Sequence, residues 1–262
     1  MTIDPGWVGI LAAFGMLLIP LGLMAHQRIP MIRQTLVAVL RMTVQLLLVG
    51  FYLQWVFKQN QWWITVPWLL VMVTVATVST LRGSGLRSRL LITAAAPALL
   101  VGTAIPLLWF VGLVLRNPDL LEARYVIPVA GMILGNCLRA NIVGVRDFYQ
   151  HVRQQRKAYQ LVLAQGASQS EAVCPYLRSS FMAAVSPTVA TMMTIGVVSL
   201  PGMMTGVILG GADPVVAIRY QIGIMLAIFT GTAITVPMAI SFSLKRCFNA
   251  YGLLRDDVFT QP

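Results

Sequence analysis

The chain has 262 residues, 58% of them hydrophobic and only 10% charged, with a net charge of +11 and a mean hydropathy of +0.79. A soluble domain of this size needs far more charged surface, so the composition belongs to a membrane protein. No separate basic domain exists to form a nucleic-acid footprint, which leaves membrane topology as the reading of the positive charge.

A helix of roughly 20 apolar residues crosses a hydrocarbon core of about 30 Å. Seven runs of that order occur, at about 7–24, 35–57, 62–81, 90–115, 125–144, 181–200 and 219–243. The first is expected to be a span rather than a cleaved leader. Asp4 precedes it instead of a basic stretch, and His26 to Pro30 replace a small-residue cleavage site. With the N-terminus outside, fourteen of the nineteen basic residues fall inside: Arg28, Arg33, Arg82, Arg87, Arg89, Arg139, Arg146, Arg153, Arg156, Lys157, Arg178, Lys245, Arg246 and Arg255. Lys58, Arg116, Arg124 and Arg219 fall outside, and Arg41 lies within a span. The asymmetry gives N-out, C-in. The expected fold is an all-α integral membrane protein of about seven transmembrane helices, one domain over residues 1–262.

In the second span Arg41 and Gln45 are four residues apart and share a face. A charge at that depth needs protein or water, so both are expected to face the interior and are candidates for a translocation pathway, with snorkelling of Arg41 to the interface as the alternative. In the fifth span Gly131 and Gly135 make a small-residue face, and Asn136 is placed for an interhelical hydrogen bond or a substrate contact.

Between spans five and six lies a polar, basic segment, about 145–180. Phe148, Val152, Tyr159 and Leu163 fall on one helical face, which implies an inward extension of the fifth span. Gly166 then ends that helix. Ser168 and Glu171 have the spacing of a capping box and start a new one, which Pro175 is expected to terminate. Gly166, Ala167, Ser168, Glu171, Ala172 and Val173 are thus candidates for a short cytosolic coupling helix, with Ala172 and Val173 expected to enter a partner's groove. The competing reading is an ordinary surface hairpin.

Beyond the sixth span, Gly202, Gly206 and Gly210 repeat the small-residue spacing. The stretch from Pro201 to Pro214 is too short to span alone, and is either re-entrant, an outer-surface helix, or a broken continuation of span six. Asp213, before Pro214, reads as a turn or helix start, with a hard-cation contact as the alternative. Cys137, Cys174 and Cys247 imply no disulfide framework, and His26 and His151 sit on different loops. No metal site is therefore assigned. Neither a P-loop nor a nucleophile with a base is present, so the chain is expected to bind no nucleotide cofactor and to be no enzyme.

The stretch AQGASQSEA resembles the cytoplasmic coupling loop of bacterial ABC-transporter permeases, where a glycine precedes the helix that docks on the ATPase. Importers carry E-A-A, three residues, then G; Gln160, Leu161 and Val162 occupy those first positions here. A closer resemblance covers nearly the whole chain: RMTVQLLLVGFYLQWVF, VIPVAGMILGN, QGASQSEAV and VSLPGMMTGVILGGADPVVAIRYQI are similar to the Fet-type iron-export permeases. That family includes the membrane partner of a plant aluminium-tolerance ABC transporter. The resemblance implies a permease in the bacterial inner membrane that exports iron or another metal. It implies a separate P-loop ATPase carrying ATP and Mg, and a second permease copy in a 2+2 complex. A sugar nucleotide or other small molecule stays open as the exported substrate. A stand-alone secondary transporter or channel is the other class, which predicts charges deep in several spans.

Overall fold

Pro20 has no N–H and its ring crowds the carbonyl four residues back, so the first apolar run cannot remain one straight helix. In the computed structural model, which describes residues 6–86, 88–116, 119–249, 251–255 and 258–259, that run is α1 (Gly6–Gly15) and α2 (Leu18–His26) joined by a tight turn. Asp4 and Arg87 lie outside the described residues.

The second run is α3 (Ile32–Gln59) and the third is α4 (Trp62–Ser84). Between them Asn60 takes a left-handed φ of 43°, and its Oδ1 accepts the Ala123 N–H at 3.1 Å. The fourth run is α5 (Ser88–Trp109), which loosens into a π-helical turn, Phe110–Val114, four residues past Pro106. A proline that leaves a backbone carbonyl unbonded produces this kind of irregularity. The remaining elements are α6 (Ala123–Gln154), α7 (Arg156–Ala164), α8 (Gln169–Thr194), α9 (Gly202–Leu209) and α10 (Pro214–Cys247). Among the described residues six helical stretches are long and apolar enough to cross a membrane. The seventh expected span falls in α8, which is 26 residues long but begins with a polar stretch and is not among those six. The protein is an all-α, multi-pass membrane protein.

The bundle is α4, α5, α6, α8 and α10. Its tightest seam is α5 on α10: a Cβ at Gly231 would lie 2.7 Å from the Gly102 carbonyl oxygen, 2.9 Å from Ile133 and 3.0 Å from the Cys137 sulfur. Gly231→Val is therefore expected to cost about 2 kcal/mol or more and to lower the melting temperature of the purified protein. Gly22→Val, where a Cβ meets nothing within 4 Å, should melt like the parent.

Several expectations are corrected by this packing. Another helix reaches none of Gly135, Gly202 and Gly206, the Gly210 Cβ position meets only its own helix's backbone, and Gly131 touches only the tip of Met72. The four-residue spacing identifies a smooth face, and within this chain the helices use Gly102, Gly144, Gly223 and Gly231 instead. Pro175 does not end a short helix; α8 runs through it. The proline costs only the bond to the Glu171 carbonyl, and both residues are exposed to water, which can take that bond over. The inward extension of the fifth span breaks at Gln155 rather than running through Leu163. The stretch 201–214 is not a continuation of span six: a turn bridged between Ile195 and Ser199 separates α8 from α9. At eight residues, α9 is about 12 Å long and cannot span.

Arg41 and Gln45 are exposed on α3, away from the interior of the chain. The outer end of α3 packs on the bundle, where Val56 is buried with Ala123 and Ile127 and Tyr52 stacks on Trp68 at 4.2 Å, while near its start Thr35 Oγ1 lies 3.8 Å from the Met24 sulfur of α2. Arg41 and Gln45 lie eleven residues before Tyr52 and Val56, which returns each pair to within about 20° on a helix. They continue the one stripe that packs, but inward of it α3 leans off the bundle.

Candidate functional site

The inner end of the molecule is built around α7. Gly166 has φ +94° and open space around its missing Cβ, so the backbone conformation, not crowding, requires glycine. The Ala167 N–H donates to the Val162 carbonyl and the Gly166 N–H to the Leu163 carbonyl, the paired bonds of a Schellman stop. Ser168 follows as N-cap of α8. Its Oγ accepts from the Glu171 N–H, and its own N–H donates to Glu171 Oε2 at 2.8 Å. The Ser168 hydroxyl and backbone N–H hold the Glu171 carboxyl below the usual carboxylate range. The capping box read from the sequence is therefore present.

Two helices that stop and restart in this way fix α7 across the inner ends of α6 and α8. Tyr159 is its anchor, buried against Phe248 and edge-on to Tyr176, with its hydroxyl donating to the Gly252 carbonyl at 2.6 Å. Burial, reinforced by Tyr176, pushes this phenol up to about 12, so it stays a donor. The chain after α10 turns back under α7: Phe248 pairs with Leu254, Leu86 with Phe259, and Val258 is fully buried. Arg153 lies 4.5 Å over the Phe259 ring. This strap is where the sequence signal was weakest, because a short apolar tail past the last span resembles any fraying terminus. Tyr159→Phe leaves the Gly252 carbonyl buried without its donor, at a cost of about 1–2 kcal/mol. Limited proteolysis should then cut the strap faster than in the parent.

Ala172 and Val173 are 4% and 3% exposed and belong to this inner core. They hold α8 down and do not face out, contrary to the expectation that they enter a partner's groove. What faces out is α7 itself. Ala158, Leu161, Val162 and Gln165, at spacing i, i+3, i+4, i+7, form one stripe, with Leu161 60% and Val162 39% exposed. Arg153, Arg156 and Lys157 surround it on the exposed surface. An amphipathic helix offering anchors at that spacing is the shape that enters a protein groove. Behind it, Asp147 of α6 accepts from Ser180 Oγ of α8 at 2.8 Å and lies 3.1 Å from His151 Nδ1, tying the two long helices to one another.

The second feature is an open cavity of about 610 Å³ between α6, α8, α9 and α10. Asn136, Arg139, Thr188, Thr191, Ser199 and Gln221 supply its polar lining, among Met132, Met203 and Met225. Of the four pathway candidates only Asn136 reaches it. Arg41 and Gln45 are on α3, and Asp213 is the N-cap of α10, accepting the Val215 N–H at 2.7 Å. Gln221 and Arg139 come from helices far apart in sequence, and no local signal joins them. Among the described residues no three His, Cys, Asp or Glu side chains come together to hold a metal ion.

Comparison with known proteins decides the lineage. The family described as uncharacterised protein family UPF0014 matches residues 7–248. The chain belongs to that family. A UPF0014 membrane protein of Synechocystis is 33% identical over 96% of this chain and 97% of its own length. The ALUMINUM SENSITIVE 3 protein of Arabidopsis thaliana is 33% identical over 84% of this chain and 79% of its own. The probable iron export permease protein FetB of Escherichia coli is 30% identical over 90% of each chain. No solved structure matches. The UPF0014 chain thus has a relative named as a permease, as the sequence resemblance implied.

Proposed function

We propose that this UPF0014 chain is the membrane permease of an ABC-type exporter, driven by a separately encoded P-loop ATPase. The observation that carries the reading is α7: a short cytosolic helix clamped on one side by Tyr159 and the strap, and offering Leu161 and Val162 to a partner on the other. A helix clamped in this way passes a push from outside into α6 and α8, because the Schellman stop, the capping box and the Asp147–Ser180 bond leave little slack between them. The chain works as two copies with two ATPase subunits in the inner membrane, and the name of the E. coli relative supports iron or another metal as cargo. ATP and Mg sit on the ATPase.

The test is co-expression with a candidate P-loop ATPase of the same organism, followed by transport into inside-out vesicles. Uptake of iron that needs both proteins and ATP is the expected result. Uptake by the permease alone, driven by an ion gradient, would make it a secondary transporter instead.

A further inference from the structure

Arg139 lies 16 residues past the start of α6, about 24 Å along a helix, and so within the inner part of a hydrocarbon core of about 30 Å. No ion pair or hydrogen bond is made by its side chain among the described residues, and it lines the open cavity. Gln221, seven residues into α10 and 8% exposed, enters the same cavity from the outer half, and its amide likewise has no hydrogen-bond partner among the described residues. Asn136 spends one N–H on the Met132 carbonyl at 2.8 Å, which fixes the amide and leaves its second N–H free. Thr188 adds a hydroxyl, the Thr191 hydroxyl donates to the Pro187 carbonyl at 2.9 Å, and among the described residues no carboxylate lines the space. An unpaired arginine at membrane depth is costly unless something pairs with it. The set has donors and a fixed positive charge and holds no carboxylate, imidazole or thiol among the described residues, so a bare divalent cation would meet repulsion there.

We infer that this cavity binds an oxyanion, a phosphate or carboxylate group, with Arg139 as its charge partner and Asn136 and Gln221 as orienting amides. A metal ion enters only as an anionic chelate. Guanidinium pairs with such groups through two parallel N–H bonds, which gives the strength and the geometric selection. The inference rests on the export reading only in making that anion the cargo.

The experiment is calorimetric titration of the purified full-length permease in nanodiscs of uncharged phosphatidylcholine, without ATPase. Inorganic pyrophosphate, citrate and ferrous chloride are the separate probes. At least one of the two oxyanions should bind, about tenfold more weakly in Arg139→Gln and with partial recovery in Arg139→Lys. Gln221→Leu should also weaken it, and Arg33→Gln, at the inner end of α3, should not. Discs containing phosphatidylglycerol separate the sources: loss of oxyanion binding there identifies a lipid headgroup as the occupant, and unchanged binding identifies a dissolved anion. Either result supports an oxyanion site. Failure of both oxyanions to bind in uncharged discs, or oxyanion binding that Arg139→Gln leaves unchanged, overturns the inference. So does tight binding of ferrous ion alone that is indifferent to Arg139. Because no ATPase is present, such a failure leaves the exporter reading standing, and loss of ATPase capture would leave this site standing.

Discussion

Leu161→Asp is expected to abolish capture of the ATPase while the permease inserts, folds and accumulates as the parent does. The side chain is mostly exposed, so the substitution costs little in the free protein. In a complex the same carboxylate would be buried in an apolar groove. Truncating or charging a central interface anchor costs about 2 kcal/mol or more, roughly thirtyfold in affinity. Co-purification and substrate-stimulated ATP hydrolysis should both fall by that order. Val162→Asp should act in the same direction and less strongly, since Val162 is partly turned towards the protein. Normal co-purification of both variants would mean that α7 is an ordinary hairpin.

Ala172→Asp is expected to behave in the opposite way. Ala172 is packed in the inner core with Val173, Tyr159 and Phe248, so an aspartate there either buries an unpaired carboxylate or pulls the first turn of α8 away from α6. An uncompensated buried charge costs about 3–5 kcal/mol. The prediction is low abundance and a depressed melting temperature, with loss of transport as a consequence. A variant that melts like the parent but fails to bind the ATPase would show that this turn swings outward in the complex.

The contrast between these two residues shows what the sequence could and could not reveal. Local grammar was legible. Gly166, the Ser168–Glu171 box and Asp213 before Pro214 each satisfy backbone groups within a few residues, and each occurs as read. Six of the seven expected spans were legible too, because hydrocarbon thickness fixes span length. Which face of a cytosolic helix turns inward was not. Ala172 and Val173, like Leu161 and Val162, are apolar residues outside the membrane, and periodicity alone cannot say which pair meets the protein's own core. The strap adds what periodicity lacks: Phe248, Leu254 and Val258 belong to the same buried cluster as Ala172 and Val173. Arg41 and Gln45 failed for a similar reason. Their stripe on α3 is the packing stripe, but the contact with the bundle is at its outer end and both residues lie inward of it, exposed. Arg139 and Gln221 were not joined in the sequence because the cavity that unites them is formed by four helices.

The account depends most on α7 being the surface that the ATPase grips. A photoreactive benzoylphenylalanine at position 161, in permease co-expressed with the ATPase that co-purifies with it, tests this directly. Irradiation should yield a covalent permease–ATPase product, and the same probe at exposed Leu40 on α3 should yield none. An ATPase that still co-purifies but is crosslinked only from position 40, or from neither position, would contradict it.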